Sequence, residues 1–202
     1  MEGFYFYLGA WCCWIVAAFF MKRQQKERTA LSACLLIAII VSPYTISLGS
    51  IHISVAGLFI LICCYAEAAS ITGLKAVYFF VSVFMIMLAY ASFQLFALFD
   101  PVWVVFKKEW MLAAIMFALS AVLFAGCRKR IAAMLTGAIQ GDLLFSLVLE
   151  KLSLAYEAWS FSFLDMAAIS ACALLLWESF VRLAAYLERQ AANLEKEKQK
   201  IL

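Results

Sequence analysis

Apolar residues along the chain gather into seven runs, each near the roughly 20 residues that a helix needs to cross about 30 Å of hydrocarbon. They occupy residues 3–21, 30–48, 53–72, 76–99, 110–126, 131–149 and 161–181. Their punctuation is polar and abrupt. KRQQKER at 22–28 closes the first run, Gly73 and Lys75 the third, Asp100-Pro101 the fourth, and Arg128, Lys129 and Arg130 the fifth. Pro43 predicts a kink or stop near the far end of the second run, where Ser42, Thr45 and Ser47 can satisfy freed carbonyls. The pattern predicts an all-α fold: a polytopic bundle of seven transmembrane helices over residues 1–181 and a cytosolic helical tail over 182–202.

Composition excludes a soluble alternative. Hydrophobic residues are 67% and charged residues 14% of the 202, against about 45–50% and about 25% in soluble domains. Mean hydropathy is +0.98. So little polar surface cannot face water around such a core, and the surrounding solvent is lipid. The same figures exclude disorder, a disulfide scaffold and a nucleic-acid partner.

Charge then orients the bundle, because loops rich in Lys and Arg stay on the cytoplasmic side. With the amino terminus outside and the carboxyl terminus inside, 13 of the 16 cations are cytoplasmic and only Lys107, Lys108 and Lys151 face outward. The first run carries its basic residues after the apolar stretch. A secretory signal carries them before, so this run is expected to stay in the mature protein. Trp103, Trp110 and Trp159 fall near outer boundaries, as in an aromatic belt.

The opening MEGFYFYLGAWCCWIVAAFFMKR has an acidic second residue, dense aromatics and a basic stop. It resembles the start of the small YphA-like membrane proteins of Bacillus-type bacteria, as do the chain length, the number of apolar runs and the Glu/Lys-rich carboxyl end. The resemblance implies a multi-pass protein of a bacterial cell membrane, and it brings no activity, cofactor or site residue with it.

Candidate chemistry lies in polar groups at membrane depth, which are costly to insert and functional by default. Glu67 is the fifteenth residue of its run and Asp142 the twelfth, with no Lys, Arg or His at comparable depth. Such carboxyl groups either bind a cation or proton in a hydrated cavity, or serve as hydrogen-bonding helix glue. Gln140 adds a third polar group beside Asp142. Gly137 and Gly141 have the GxxxG spacing that lets a second backbone approach. Polar groups on several faces of the sixth helix predict that it is central. Asp165 and Glu178 lie nearer the interfaces and read as anchors, Glu178 with Arg182 one turn on. His52, at an outer boundary, reads as an interfacial residue.

Seven Cys lack CxxC spacing and nearby His partners, so packing rather than metal or redox chemistry is expected of them. No nucleophile elbow, zincin, phosphate-loop or dinucleotide motif occurs. Neither enzyme activity nor a cofactor is expected. After the seventh run, Phe180, Leu183, Leu187, Gln190, Leu194, Glu197 and Ile201 recur at spacings of three and four, as a seam for a protein partner or a second copy would. Two functions follow from these features. One is a membrane-embedded interaction or accessory protein that works through the tail. The other is a small solute or cation transporter that uses Glu67 and Asp142.

Overall fold

The computed structural model describes residues 2–20, 26–48, 51–154 and 156–201. Helix α1 (Phe4–Ile15) runs into a π-helical turn at Val16–Phe20 and is followed by α2 (Lys26–Val41). Strands β1 (Thr45–Leu48) and β2 (Ile51–Ser54) lead into α3 (Val55–Ala68) and α4 (Leu74–Phe99). Then come α5 (Lys108–Leu123), α6 (Cys127–Lys151), the short strand β3 (Glu157–Ala158) and α7 (Phe161–Ile201). Met21 of the first apolar run, residues 22–25 of the basic stop, Gly49 and Leu202 lie outside the described residues, as do the side chains of Trp103, Leu194, Glu197 and Ile201.

Each of the seven apolar runs holds one α-helix; α4, α6 and α7 cover their runs in full, whereas the other four fall short of at least one predicted bound. The second run was expected to be helical to Leu48, yet α2 stops at Val41. Pro43 has no N–H to continue the ladder, and the alternating, β-branched TISL and IHIS pair as antiparallel strands instead. The third helix also begins later than expected and ends at Ala68, where Ser70 and Ile71 turn back onto the carbonyls of Glu67 and Ala68. Among the described residues, α4, α6 and the Phe161–Gln190 part of α7 are long and apolar enough to cross a membrane. Phe4–Phe19, Arg28–Val41 and Val55–Ala68 are apolar but shorter.

The bundle has two chemically different ends. At one, β2 pairs in parallel with β3, placing His52 opposite Glu157. There the Ser162 hydroxyl donates to Glu109 at 3.0 Å, and Tyr5 meets Trp110 edge to face at 5.5 Å. At the other, the Tyr78 hydroxyl of α4 donates to the Leu123 carbonyl of α5 at 2.6 Å. Arg130, predicted to be a loop cation there, is buried, and its Nε donates to the Phe124 carbonyl at 2.9 Å, where it caps α5. That leaves Arg128 and Lys129 as the exposed cations of the cluster.

Helix α6 is the core. At about 100° per residue, Met134, Thr136, Gly137, Ile139 and Asp142 point to all sides, and all are buried. The least apolar helix can occupy this position because most of it is packed against other helices, with Leu147 near its end 43% exposed. Around it, α4 buries Phe79, Val83, Ile86 and Tyr90 while exposing Val77, Phe80, Phe84 and Leu88. Apolar residues on both faces suit a helix between a protein core and hydrocarbon, since so continuous an exposed patch is foreign to a soluble monomer.

Candidate functional site

The polar centre of the bundle is Asp142, which is fully buried. Three donors converge on it. The Tyr90 hydroxyl of α4 reaches Oδ1 at 2.8 Å, and the Tyr156 hydroxyl reaches the same oxygen at 2.7 Å. The backbone N–H of Trp159 donates to Oδ2 at 2.7 Å. Gln94, one turn beyond Tyr90, extends the network by donating from Nε2 to the Tyr90 oxygen at 2.9 Å. Its Oε1 is buried without a partner among the described residues.

This network fixes the segment between α6 and α7. Trp159 has φ +58°, a left-handed conformation that costs a bulky residue about 1–3 kcal/mol. Three contacts hold it there. Its N–H is bound by Asp142, its indole Nε1 donates to the Ile139 carbonyl at 2.9 Å, and its ring lies so close to Gly57 that a Cβ there would stand 2.5 Å away. The belt position expected for Trp159 is therefore corrected. It is a buried plug, 3% exposed, because the loop folds inward onto Asp142.

The sequence also placed no cation near Asp142, and the structure supplies one from another helix. The Lys108 ammonium at the start of α5 stands 5.7 Å from the centre of the Phe145 ring, which meets Tyr156 edge to face at 5.1 Å. Burial pushes the Lys108 amine below its ordinary value, while the charges of Asp142 and Glu109 pull it back up. Burial first, and then the Asp142 charge, pushes the Tyr156 phenol well above its ordinary range.

Glu67 is elsewhere. It is the penultimate residue of α3, at the end opposite the sheet, and accepts from Arg128 Nη2 at 3.1 Å with both side chains more than half exposed. From Arg128 to Asp142 is about 21 Å along α6 at 1.5 Å per residue. The predicted mid-depth acid pair is therefore not one site. The early end of α3 at Ala68 moves Glu67 out of the apolar run to its mouth. Gln140 binds a third partner, donating from Nε2 to the Tyr65 hydroxyl of α3.

Gly137 and Gly141 are where α4 and α6 come closest. A Cβ at Gly137 would lie 2.7 Å from Ile86 Cβ and 3.0 Å from the Val83 carbonyl oxygen, and one at Gly141 would lie 2.8 Å from Tyr90 Cβ. Asp165, the other buried acid, accepts from the backbone N–H groups of Gly3 and Phe6, both at 2.8 Å, and so caps α1 from α7. Among the described residues, no three His, Cys, Asp or Glu side chains gather as a metal site.

Sequence reasoning missed Tyr90, Gln94, Tyr156 and Lys108. Tyr90 and Gln94 had a usable signal, a polar pair four residues apart within an apolar helix. Tyr156 and Lys108 had none, since Tyr156 reaches Asp142 from the loop after α6 and Lys108 approaches from the start of α5.

Residues 2–200 match the family model described as YphA-like integral membrane protein. The chain is also 32% identical over 178 residues to "Uncharacterized protein YphA" of Bacillus subtilis (strain 168), an alignment that covers 88% of this chain and 86% of that one. No solved structure matches.

Proposed function

The chain belongs to the YphA-like integral membrane protein family, and from that premise we propose that it is a multi-pass cell-membrane interaction protein whose bundle presents a cytosolic helix to a protein partner. In this reading all seven helices cross, with the amino terminus outside and the carboxyl terminus inside, and the shorter helices are completed by the strands and turns at their ends. No catalytic activity belongs to it.

One observation carries the proposal. Helix α7 is a single helix of 41 residues, about 60 Å long, so its carboxyl-terminal half is a rigid continuation of a packed span. Leu174 is fully buried in the bundle, whereas Leu183, Tyr186 and Leu187 are each more than half exposed. Leu183 and Leu187 lie one turn apart, as a binding seam requires. The transporter reading needed Glu67 and Asp142 in one hydrated place. Glu67 pairs with Arg128 at the bundle end and Asp142 is enclosed by three donors, so the two acids do not form one ion site.

A photo-reactive amino acid at Leu187 in intact cells tests the proposal. A discrete adduct with one protein or a second copy of the chain is expected. Cross-links to lipid alone, as expected for the same probe at the bilayer-facing Phe84, would overturn it.

A further inference from the structure

A cavity of about 670 Å³ opens at the basic end of the bundle, between the starts of α4 and α6, the end of α5, and α7 at Arg182. A second, of about 460 Å³, adjoins it and shares Lys75 and Lys129. Four cations line the first: Lys75, Arg128, Lys129 and Arg182. Two acids stand close, Glu67 on Arg128 at 3.1 Å and Glu178 on Arg182 at 3.0 Å. Lys75 and Lys129 have no carboxylate partner among the described residues, so the rim keeps an excess of positive charge.

The walls are apolar. Leu74 is 88% exposed and Tyr78 53%, and Phe79 and Leu123 line the floor. Two helices also begin here without side-chain caps, α4 after Gly73 and α6 after Gly126. Their first N–H groups add positive potential to that of the side chains. A Cβ at either glycine would meet nothing within 4 Å, so the backbone is open to a ligand.

We propose that this groove binds the phosphate of an anionic phospholipid from the cytoplasmic leaflet, with Lys75 and Lys129 on the phosphate oxygens and Leu74 and Tyr78 along the first methylenes of the acyl chains. A soluble phosphate compound would use the cations and leave the apolar wall idle, whereas a lipid satisfies both. The volume lies within the range of small-molecule sites, and a basic pocket between helices at the membrane surface is the geometry that recognises acidic headgroups. The inference rests on α4 and α6 crossing the bilayer with their basic ends inside, as proposed above, and is independent of what the tail binds.

Native mass spectrometry of the full chain in detergent, titrated with phosphatidylglycerol or phosphatidylcholine, tests it. Phosphatidylglycerol adducts are expected to form preferentially. K75Q/K129Q is expected to weaken them about twenty-fivefold, at roughly fivefold per cation, while K75R/K129R retains them. Lys107→Gln with Lys151→Gln, at the opposite end, serves as the control and is expected to change nothing. Equal binding of the two lipids, or adducts indifferent to K75Q/K129Q, would overturn the proposal. Competition by glycerol phosphate at the lipid's own concentration would overturn it in favour of a soluble phosphate ligand.

Discussion

Tyr90 joins α4 to α6 twice: its Cβ occupies the notch where Gly141 has no side chain, and its hydroxyl donates to Asp142 at 2.8 Å. The two contacts depend on each other. Only a glycine lets the α4 backbone come near enough for a tyrosine hydroxyl to reach an acid one residue further along α6. The same acid then holds the Trp159 N–H, so one carboxyl group couples a helix pair to the strained loop outside it.

Asp142 is expected to act through hydrogen-bond acceptance. In Asp142→Asn the amide oxygen can still accept from Trp159, and the NH₂ can donate to tyrosine hydroxyls that rotate to accept. That variant should lie within about 1 kcal/mol of the parent. Asp142→Ala leaves the buried Trp159 N–H unpaired and should lose about 2–4 kcal/mol. Equilibrium unfolding in detergent micelles reads both, and equal losses would show that charge, rather than acceptance, is what matters.

The glycine notches predict a graded series. Gly137→Ala and Gly141→Ala place a methyl group under 3.0 Å from Ile86 and Tyr90, and should cost about 1–3 kcal/mol through forced separation of α4 and α6. Gly9→Ala meets the Cys172 sulfur at 3.3 Å, a movable side chain, and the helix gains from losing a glycine. Thermal melting of the three variants should put Gly9→Ala nearest the parent, and a reversed order would contradict the packing.

The α-helices, the central place of α6 and the close approach at Gly137 and Gly141 were all legible in the sequence, because each follows from local periodicity or spacing. What was not legible depended on where helices stop and on what distant loops do. Glu67 looked like an intramembrane acid because apolar residues continue to Ile71, yet the helix had already ended at Ala68. Asp165 read as an interfacial anchor, and its partners are the N–H groups of Gly3 and Phe6, about 160 residues away in the chain. No one-dimensional pattern brings those groups together.

Cys34 of α2 and Cys63 of α3 have sulfurs 3.2 Å apart. Mild oxidation with copper phenanthroline should join them, the two thiols giving up two protons and two electrons to the oxidant. The bond shortens that separation to about 2.05 Å. Mass spectrometry of proteolysed protein should find a Cys34–Cys63 peptide that vanishes in Cys34→Ser. Linkage of Cys34 to the buried Cys64 instead would mean that α3 is rotated relative to α2.

The orientation proposed for the bundle has its own check. Lys75, Arg128, Lys129 and Arg182 gather at one end, and the three strands lie at the other. Reporter fusions after Arg28 and Lys129 should therefore be active only inside, and one after Asp100 only outside. External activity after Arg28 would reverse the topology and move the basic groove to the outer leaflet.

The last expectation separates the two acids that the sequence made look alike. Glu67 and Arg128 form an exposed pair, and such pairs contribute about 0–1 kcal/mol because water solvates both partners when the contact breaks. Glu67→Ala should therefore cost less than about 1 kcal/mol, whereas Asp142→Ala should cost several times more, its donors being left in a dry interior. Added salt should narrow the small Glu67 effect and leave the Asp142 effect unchanged, since screening acts on exposed charges and hardly on enclosed ones. Unfolding measured at low and high salt on both variants gives the comparison. A large, salt-insensitive loss at Glu67 would place that side chain inside the bundle and restore the mid-depth acid pair.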